Sequence, residues 1–157
     1  DLKIIRKGHC NMEELRISFK EIPATWSFCF CDGCARHDEC LHYVSGKYLP
    51  DKVTEGYAIF PTAFKTGTCK HFKEVRVIHA AYGFAPLFKE VKHKDYTLLR
   101  DKIKRYLGSH TTYYRYNSGE HKLTPEQQQW ILDLFARYGY TENLTFEHYQ
   151  DIVDFSE

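Results

Sequence analysis

The residues best placed to do chemistry lie in one stretch, Cys29-Phe-Cys31-Asp-Gly-Cys34-Ala-Arg-His37-Asp-Glu-Cys40, which holds four of the chain's six cysteines. Cys29, Cys31 and Cys34 are too near one another to pair as disulfides without tight, strained rings. Dense disulfide frameworks also belong to shorter, secreted chains. A cluster of reduced thiolates is instead a soft ligand set, and zinc in a tetrahedral structural site is its usual partner. The stretch therefore reads as a metal knuckle in a reduced, cytoplasmic protein. Cys29, Cys31, Cys34 and Cys40 are the local ligands. Cys29 and Cys31 make an awkward pair on one metal unless the backbone turns between them. If one drops out, Cys69 or His71 is the natural remote supplier, and a remote ligand ties a distant segment to the knuckle. An iron–sulfur cluster also takes four thiolates, but the regular Cys-x2-Cys runs are absent and zinc is preferred. A catalytic zinc would keep an open position beside an acid or base. His37, His42 and Glu39 are near enough for that, and a solvated face accounts for them equally well.

The flanking elements follow from local signals. Asn11 caps a short helix with Met12, Leu15 and Phe19 at helical spacing, and Pro23 ends it. Trp26 and Phe28 form an extended approach to the knuckle. Leu41 to Val44 predicts a short helix closed by Gly46. Tyr57 to Phe60 predicts a strand stopped by Pro61. Lys65-Thr66-Gly67-Thr68 is a turn that delivers Cys69 and His71. Val75 to Ala80 alternates β-branched and polar residues as a strand does, and Gly83 and Pro86 end it. From Asp95 to Leu107 the period becomes helical, with Tyr96, Leu99, Ile103 and Tyr106 on one stripe and Gly108 as the stop. Thr112 to Lys122 reads as an extended arm turning at Asn117-Ser118-Gly119. Thr124 is an N-cap, Pro125 takes the first helical position and Gln127 completes a capping box, so a helix runs to about Tyr138. Thr145 caps a last helix with Phe146, Tyr149, Ile152 and Val153 as its buried stripe.

The sum is an α+β chain: a small sheet with a zinc-knuckle loop, and a C-terminal helical half. It reads as one domain over residues 1–157, with a metal-clamped, strand-containing part at 26–88 and a helical part at 95–155. Hydrophobic residues at 43% and charged residues at 27% suit a soluble globular chain with a real core. No apolar run reaches the roughly 18 residues of a membrane span, and no basic-then-apolar segment of secretory type opens the chain. A net charge of +1 names no partner.

Several short motifs together resemble a known family. They are Trp26, Cys29-Phe30, Cys34, Cys40-Leu41-His42-Tyr43, Cys69-Lys-His-Phe72, Ala81-Tyr-Gly83-Phe84, Tyr113-Tyr114-Arg115-Tyr116, Gly119-Glu120, Leu123-Thr-Pro-Glu-Gln127, Gly139-Tyr140 and Phe146-Glu-His-Tyr149. The pattern resembles a family of small bacterial proteins defined as a domain of unknown function. The resemblance implies a metal site of Cys29, Cys34, Cys40 and Cys69, with Cys31 as an extra and with His42 where the family has an Arg. It implies no activity.

Charge is uneven along the chain. Residues 89–122 carry nine Lys or Arg against four acids, and residues 123–157 carry one Arg against seven acids. A basic helix followed by a Tyr-Tyr-Arg-Tyr arm suits nucleic acid, with Arg100, Lys104, Arg105 and Arg115 for phosphate and Tyr113 and Tyr114 for stacking. The capped helix, its glycine turn and a final helix would make a helix-turn-helix fragment. The competing account packs the basic segment on the acidic tail within one molecule. No catalytic residue is assigned: the nine histidines form no His-x3-His pair, and Gly-rich phosphate loops and Gly-x-Ser-x-Gly are absent. The expectation is a non-enzymatic, zinc-stabilised module that binds nucleic acid or regulates. The alternatives are a protein-interaction module with purely structural zinc, and an uncharacterised zinc enzyme.

Overall fold

A computed structural model of the chain describes residues 17–65 and 67–156. Residues 17–75 with 155–156 form one compact unit, and Arg76–Asp154 form the other. The architecture is α+β. The helix read from Asn11, Met12 and Leu15 lies outside the described residues. Phe19 opens a single 3₁₀ turn, Phe19–Glu21.

In the first unit, β1 (Ser27–Cys29) pairs in parallel with β2 (Tyr57–Ile59), Cys29 opposite Ile59. Parallel neighbours need a crossover, and α1 (Leu41–Gly46) lies on it. Leu41 and Val44 are fully buried. Ser45 is buried too, where its Oγ accepts the Trp26 indole N–H at 3.0 Å and donates to the His42 carbonyl at 3.2 Å. Gly46 lets α1 approach β1 closely. A Cβ there would stand 3.1 Å from the Phe30 ring and 3.2 Å from the Cys29 carbonyl.

In the second unit, β3 (Val77–Tyr82) is followed by α2 (Ala85–Phe88), α3 (His93–Tyr106), α4 (His110–Ser118), α5 (Pro125–Arg137) and β4 (His148–Val153). β3 and β4 are antiparallel, from Val77 opposite Val153 to Tyr82 opposite His148. Phe84, Leu87, Leu99, Ile103, Leu123, Ile131 and Phe135 form the heart of one core. The capping box of α5 is complete. Thr124 Oγ1 accepts the Gln127 N–H at 3.3 Å, and Gln127 Oε1 accepts the Thr124 N–H at 2.9 Å. Near the start of α3, the Tyr140 hydroxyl donates to Asp95 at 2.7 Å and accepts the Lys92 N–H at 3.1 Å.

Two elements differ from the sequence reading. The expected extended arm from Thr112 is α4. Ser109 Oγ caps it by accepting the Thr112 N–H at 3.1 Å, Tyr113 turns into the core, and Gly119 at φ +81° ends it in the left-handed region. The expected last helix is β4. Phe146 is buried just before it, Tyr149 lies exposed along it, and its inward-facing backbone groups pair with β3. With a strand after α5, the helix-turn-helix fragment is not formed. Among the described residues no helix is long and apolar enough to cross a membrane.

Candidate metal centre

The knuckle is a run of tight turns leading out of β1. The Cys34 N–H donates to the Cys31 carbonyl at 3.3 Å, His37 N–H to the Cys34 carbonyl at 3.1 Å, and Cys40 N–H to the His37 carbonyl at 3.1 Å. Each closes over three residues. Only His37–Glu39 is a 3₁₀ turn, but Cys31, Cys34, His37 and Cys40, spaced three apart, all line the same cavity. This period of three was readable in the sequence, where Cys31-Asp-Gly-Cys34 is itself a Cys-x2-Cys pair, and His37 was missed as a member of it.

Cys40 then does two jobs. It precedes α1, where its carbonyl accepts the Val44 N–H at 2.9 Å, and it bridges to Glu74 in antiparallel fashion. Leu41 N–H to the Lys73 carbonyl and Val75 N–H to the Glu39 carbonyl, at 2.7 and 3.1 Å, complete that bridge. It anchors the segment carrying Cys69 and His71 beside the knuckle. The turn before Cys69 is closed by Gly67 N–H on the Phe64 carbonyl at 2.8 Å.

Cys29, Cys31, Cys34, Cys40 and Cys69 line one small cavity, together with His37, His42 and His71. All five of these cysteines are free thiols. The cavity is about 20 Å³, room for a single water-sized sphere. Cys29 and Cys31 both line it, which corrects the expectation that they pair awkwardly: positions two apart in extended chain share a side. Burial pushes the Cys29 thiol up, and the neighbouring Cys40, Cys31 and Cys69 thiols push it the same way against a backbone hydrogen bond that lowers it. Among the described residues, no three His, Cys, Asp or Glu side chains stand as a group that could hold a metal ion as placed.

The histidines are held in defined states. His42 Nδ1 lies 2.6 Å from the Ser27 carbonyl, and His37 Nδ1 lies 2.6 Å from the Cys34 carbonyl. A carbonyl only accepts, so each Nδ1 donates, and His37 Nε2 lies 3.3 Å from the Asp38 carboxylate. Metal-bound histidines are commonly oriented in this way. His42 also stacks on Trp26 at 4.2 Å, and burial holds its pKa below the ordinary value. Tyr43 donates to Asp32 at 2.5 Å, which pushes its pKa up to about 12.

The residues expected to meet nucleic acid are divided. Tyr113 is buried and stacks on Phe84 at 4.7 Å, so its ring faces the core. Lys104 is mostly covered and lies 3.7 Å from Asp101. Arg100 lies over the Tyr96 ring at 5.6 Å, with its Nε buried. Arg105, Tyr114 and Arg115 are exposed, with Arg115 3.6 Å from Glu120. These two ion pairs form within the basic segment itself. Arg100, Tyr113 and Tyr114 share one open pocket, and Arg105 borders another with Trp130.

A family model matches residues 12–155, which is nearly the whole chain. The chain belongs to DUF6078, a family of unknown function. The match spans both units, from the knuckle through β4. No curated protein and no solved structure matches the chain.

Proposed function

We propose that this DUF6078 chain is a zinc-stabilised binding module and not a catalyst, with one structural zinc clamping its N-terminal unit. The observation that carries the reading is the convergence of Cys29, Cys31, Cys34, Cys40 and Cys69, from a strand, a turn, a helix start and a distant loop, on one ion-sized cavity. Zinc–thiolate sites take four such ligands. The ligand set is Cys29, Cys34, Cys40 and Cys69, so the zinc ties the Cys69 loop to the end of β1. Closing the site draws these thiols together. His37 and His42 border it with their Nδ1 protons already engaged. The first unit also has reason to need a staple. Its strands are three residues each, and small cores of this kind are commonly completed by metal or disulfide. A reduced, cytoplasmic setting keeps the thiols available to the ion.

Metal analysis of the purified protein tests this directly. The expected result is about one zinc per chain, as for a single closed site. A stable fold with less than about a tenth of that overturns the reading. Cys69→Ser is expected to release the metal, whereas Cys31→Ser keeps it. The reverse order would move the site onto the Cys31, Cys34, His37, Cys40 side of the knuckle.

A further inference from the structure

We infer that the N-terminal unit binds a phosphorylated compound with a flat ring, of nucleotide type, in a cleft that shares a wall with the thiol cavity. The cleft is about 930 Å³, within the roughly 300–1,000 Å³ of ordinary ligand sites. His42, Ile59, Phe60, Ala63 and His71 belong to both it and the thiol cavity. The inference does not depend on the metal.

The cleft mixes two kinds of lining. Ile59, Phe60 and Phe155 are apolar, and Lys70 and Lys73 bring positive charge. Among the described residues, no Asp or Glu lines it. The Lys73 ammonium is held by the Ser156 carbonyl and lies 5.9 Å from the Trp26 ring. A carbonyl and a ring face fix its position without cancelling its charge. Two lysines therefore set a positive field in a concave site, which concentrates anions. Lysine is a regular phosphate partner, and the hydroxyls of Thr25 and Thr62 on the same lining can donate to phosphate oxygens.

Phe60 supplies the other half of the recognition. The residue is 74% exposed although its side chain is large and apolar. Pro61 begins a 3₁₀ turn immediately after it, Pro61–Phe64, and fixes the chain there. An aromatic ring left bare beside a basic cleft is suited to stack on a base while the lysines take the phosphate. A plain anion would leave the ring unused, and a plain hydrocarbon would leave the lysines uncompensated. A free nucleotide and the end of a single-stranded nucleic acid share this chemistry.

Titration calorimetry on the full chain, with AMP, ADP, inorganic phosphate and a short oligo-dA as probes, tests the inference. AMP and ADP are expected to bind, ADP more tightly, and added salt to weaken both. Phe60→Ala should weaken AMP about tenfold, as loss of one stacked ring does. Phe60→Leu keeps apolar surface without the ring and should weaken AMP nearly as much. Lys70→Glu should weaken ADP more than AMP. Oligo-dA binding tighter than ADP, with the same sensitivity to Phe60, assigns the site to strand ends; weaker binding assigns it to free nucleotide. The inference is overturned if no probe binds more tightly than about 1 mM, a free energy of only about 4 kcal/mol. It is equally overturned if inorganic phosphate matches AMP, or if the Phe60 and Lys70 variants bind as the unaltered chain does. Zinc content measured on the same samples separates loss of the metal from loss of the cleft.

Discussion

Leu99, Ile103, Leu123, Ile131 and Phe135 of the second unit are completely buried, whereas the first unit buries completely only Leu41, Val44 and Ser45 among its described residues. The second unit surrounds its core with three helices of nine or more residues and a six-residue ladder. The first has three-residue strands and one six-residue helix, yet it holds all five described cysteines. Buried apolar surface is the main source of stability. A full core side chain is worth about 1.5–3 kcal/mol, so the second unit has ample stabilisation of this kind. The first has far less, and its polar contacts, such as Trp26 to Ser45, give position more than energy. The contrast teaches that the first unit is the one whose small core leaves a part for a staple to play, the part the proposed zinc would take.

The sharpest way to break the contrast is to remove metal. With the proposed zinc in place, a strong chelator should abolish hydrogen-exchange protection at Leu41 to Ser45, because a structural zinc contributes directly to folding. The amides of α3 and α5 should stay protected. Equal loss in both units, or in neither, would erase the distinction. The mirror experiment is Phe135→Ala. Truncating a buried Phe costs about 3–5 kcal/mol, and denaturant melts followed at Trp130 should show that loss while zinc content is unchanged.

A smaller effect tests the local signals of the second unit. Thr124→Ala removes the Oγ1 acceptor for the Gln127 N–H and should cost about 1 kcal/mol, the usual value of such a cap. The same melts measure it. The smallest expected effect is with alkali. Burial raises the pKa of Tyr113, and the hydrogen bond to Asp95 raises that of Tyr140. Both folded values lie above the unfolded one, so the protonated phenols favour the folded state. That contribution is full below about pH 10, where unfolded tyrosine ionises, and is lost as pH rises from there through the folded values. Melts of the second unit between neutral pH and pH 11 should therefore weaken with alkali, and Tyr140→Phe should blunt the change.

Local signals were legible in the sequence and long-range pairings were not. The Thr124 box, the α1 start at Leu41 and the α3 helix all rest on residues within a few positions of one another and stand where the pattern put them, although of the α3 stripe only Leu99 and Ile103 are buried and Tyr96 and Tyr106 are exposed. α4 was misread because Thr112, Tyr113, Tyr114 and Tyr116 favour strands by type, although Ser109 and Gly119 marked both ends of a helix. β4 was misread because Phe146, Tyr149 and Ile152 fall three apart, a spacing that fits a helix equally well. Only the partner strand, some seventy residues earlier by the pairing of His79 with Asp151, decides the matter. In the candidate site the crowding of cysteines was plain. The Cys40–Glu74 bridge that brings Cys69 to them is a backbone event with no signature in side-chain types.

The β3–β4 ladder begins where Val77 faces Val153, and just outside it the Asp154 N–H donates to the Arg76 carbonyl at 2.9 Å. Arg76 and Asp154 are also the first and last residues of the second unit. That unit is thus a cassette whose entrance and exit are clasped together at Arg76 and Asp154, spliced into a host chain that resumes at Phe155. A segment whose ends already touch can be lengthened, exchanged or lost without stretching its host. Joining Val75 to Phe155 through a short glycine bridge would make a chain in which the cysteine unit stands alone.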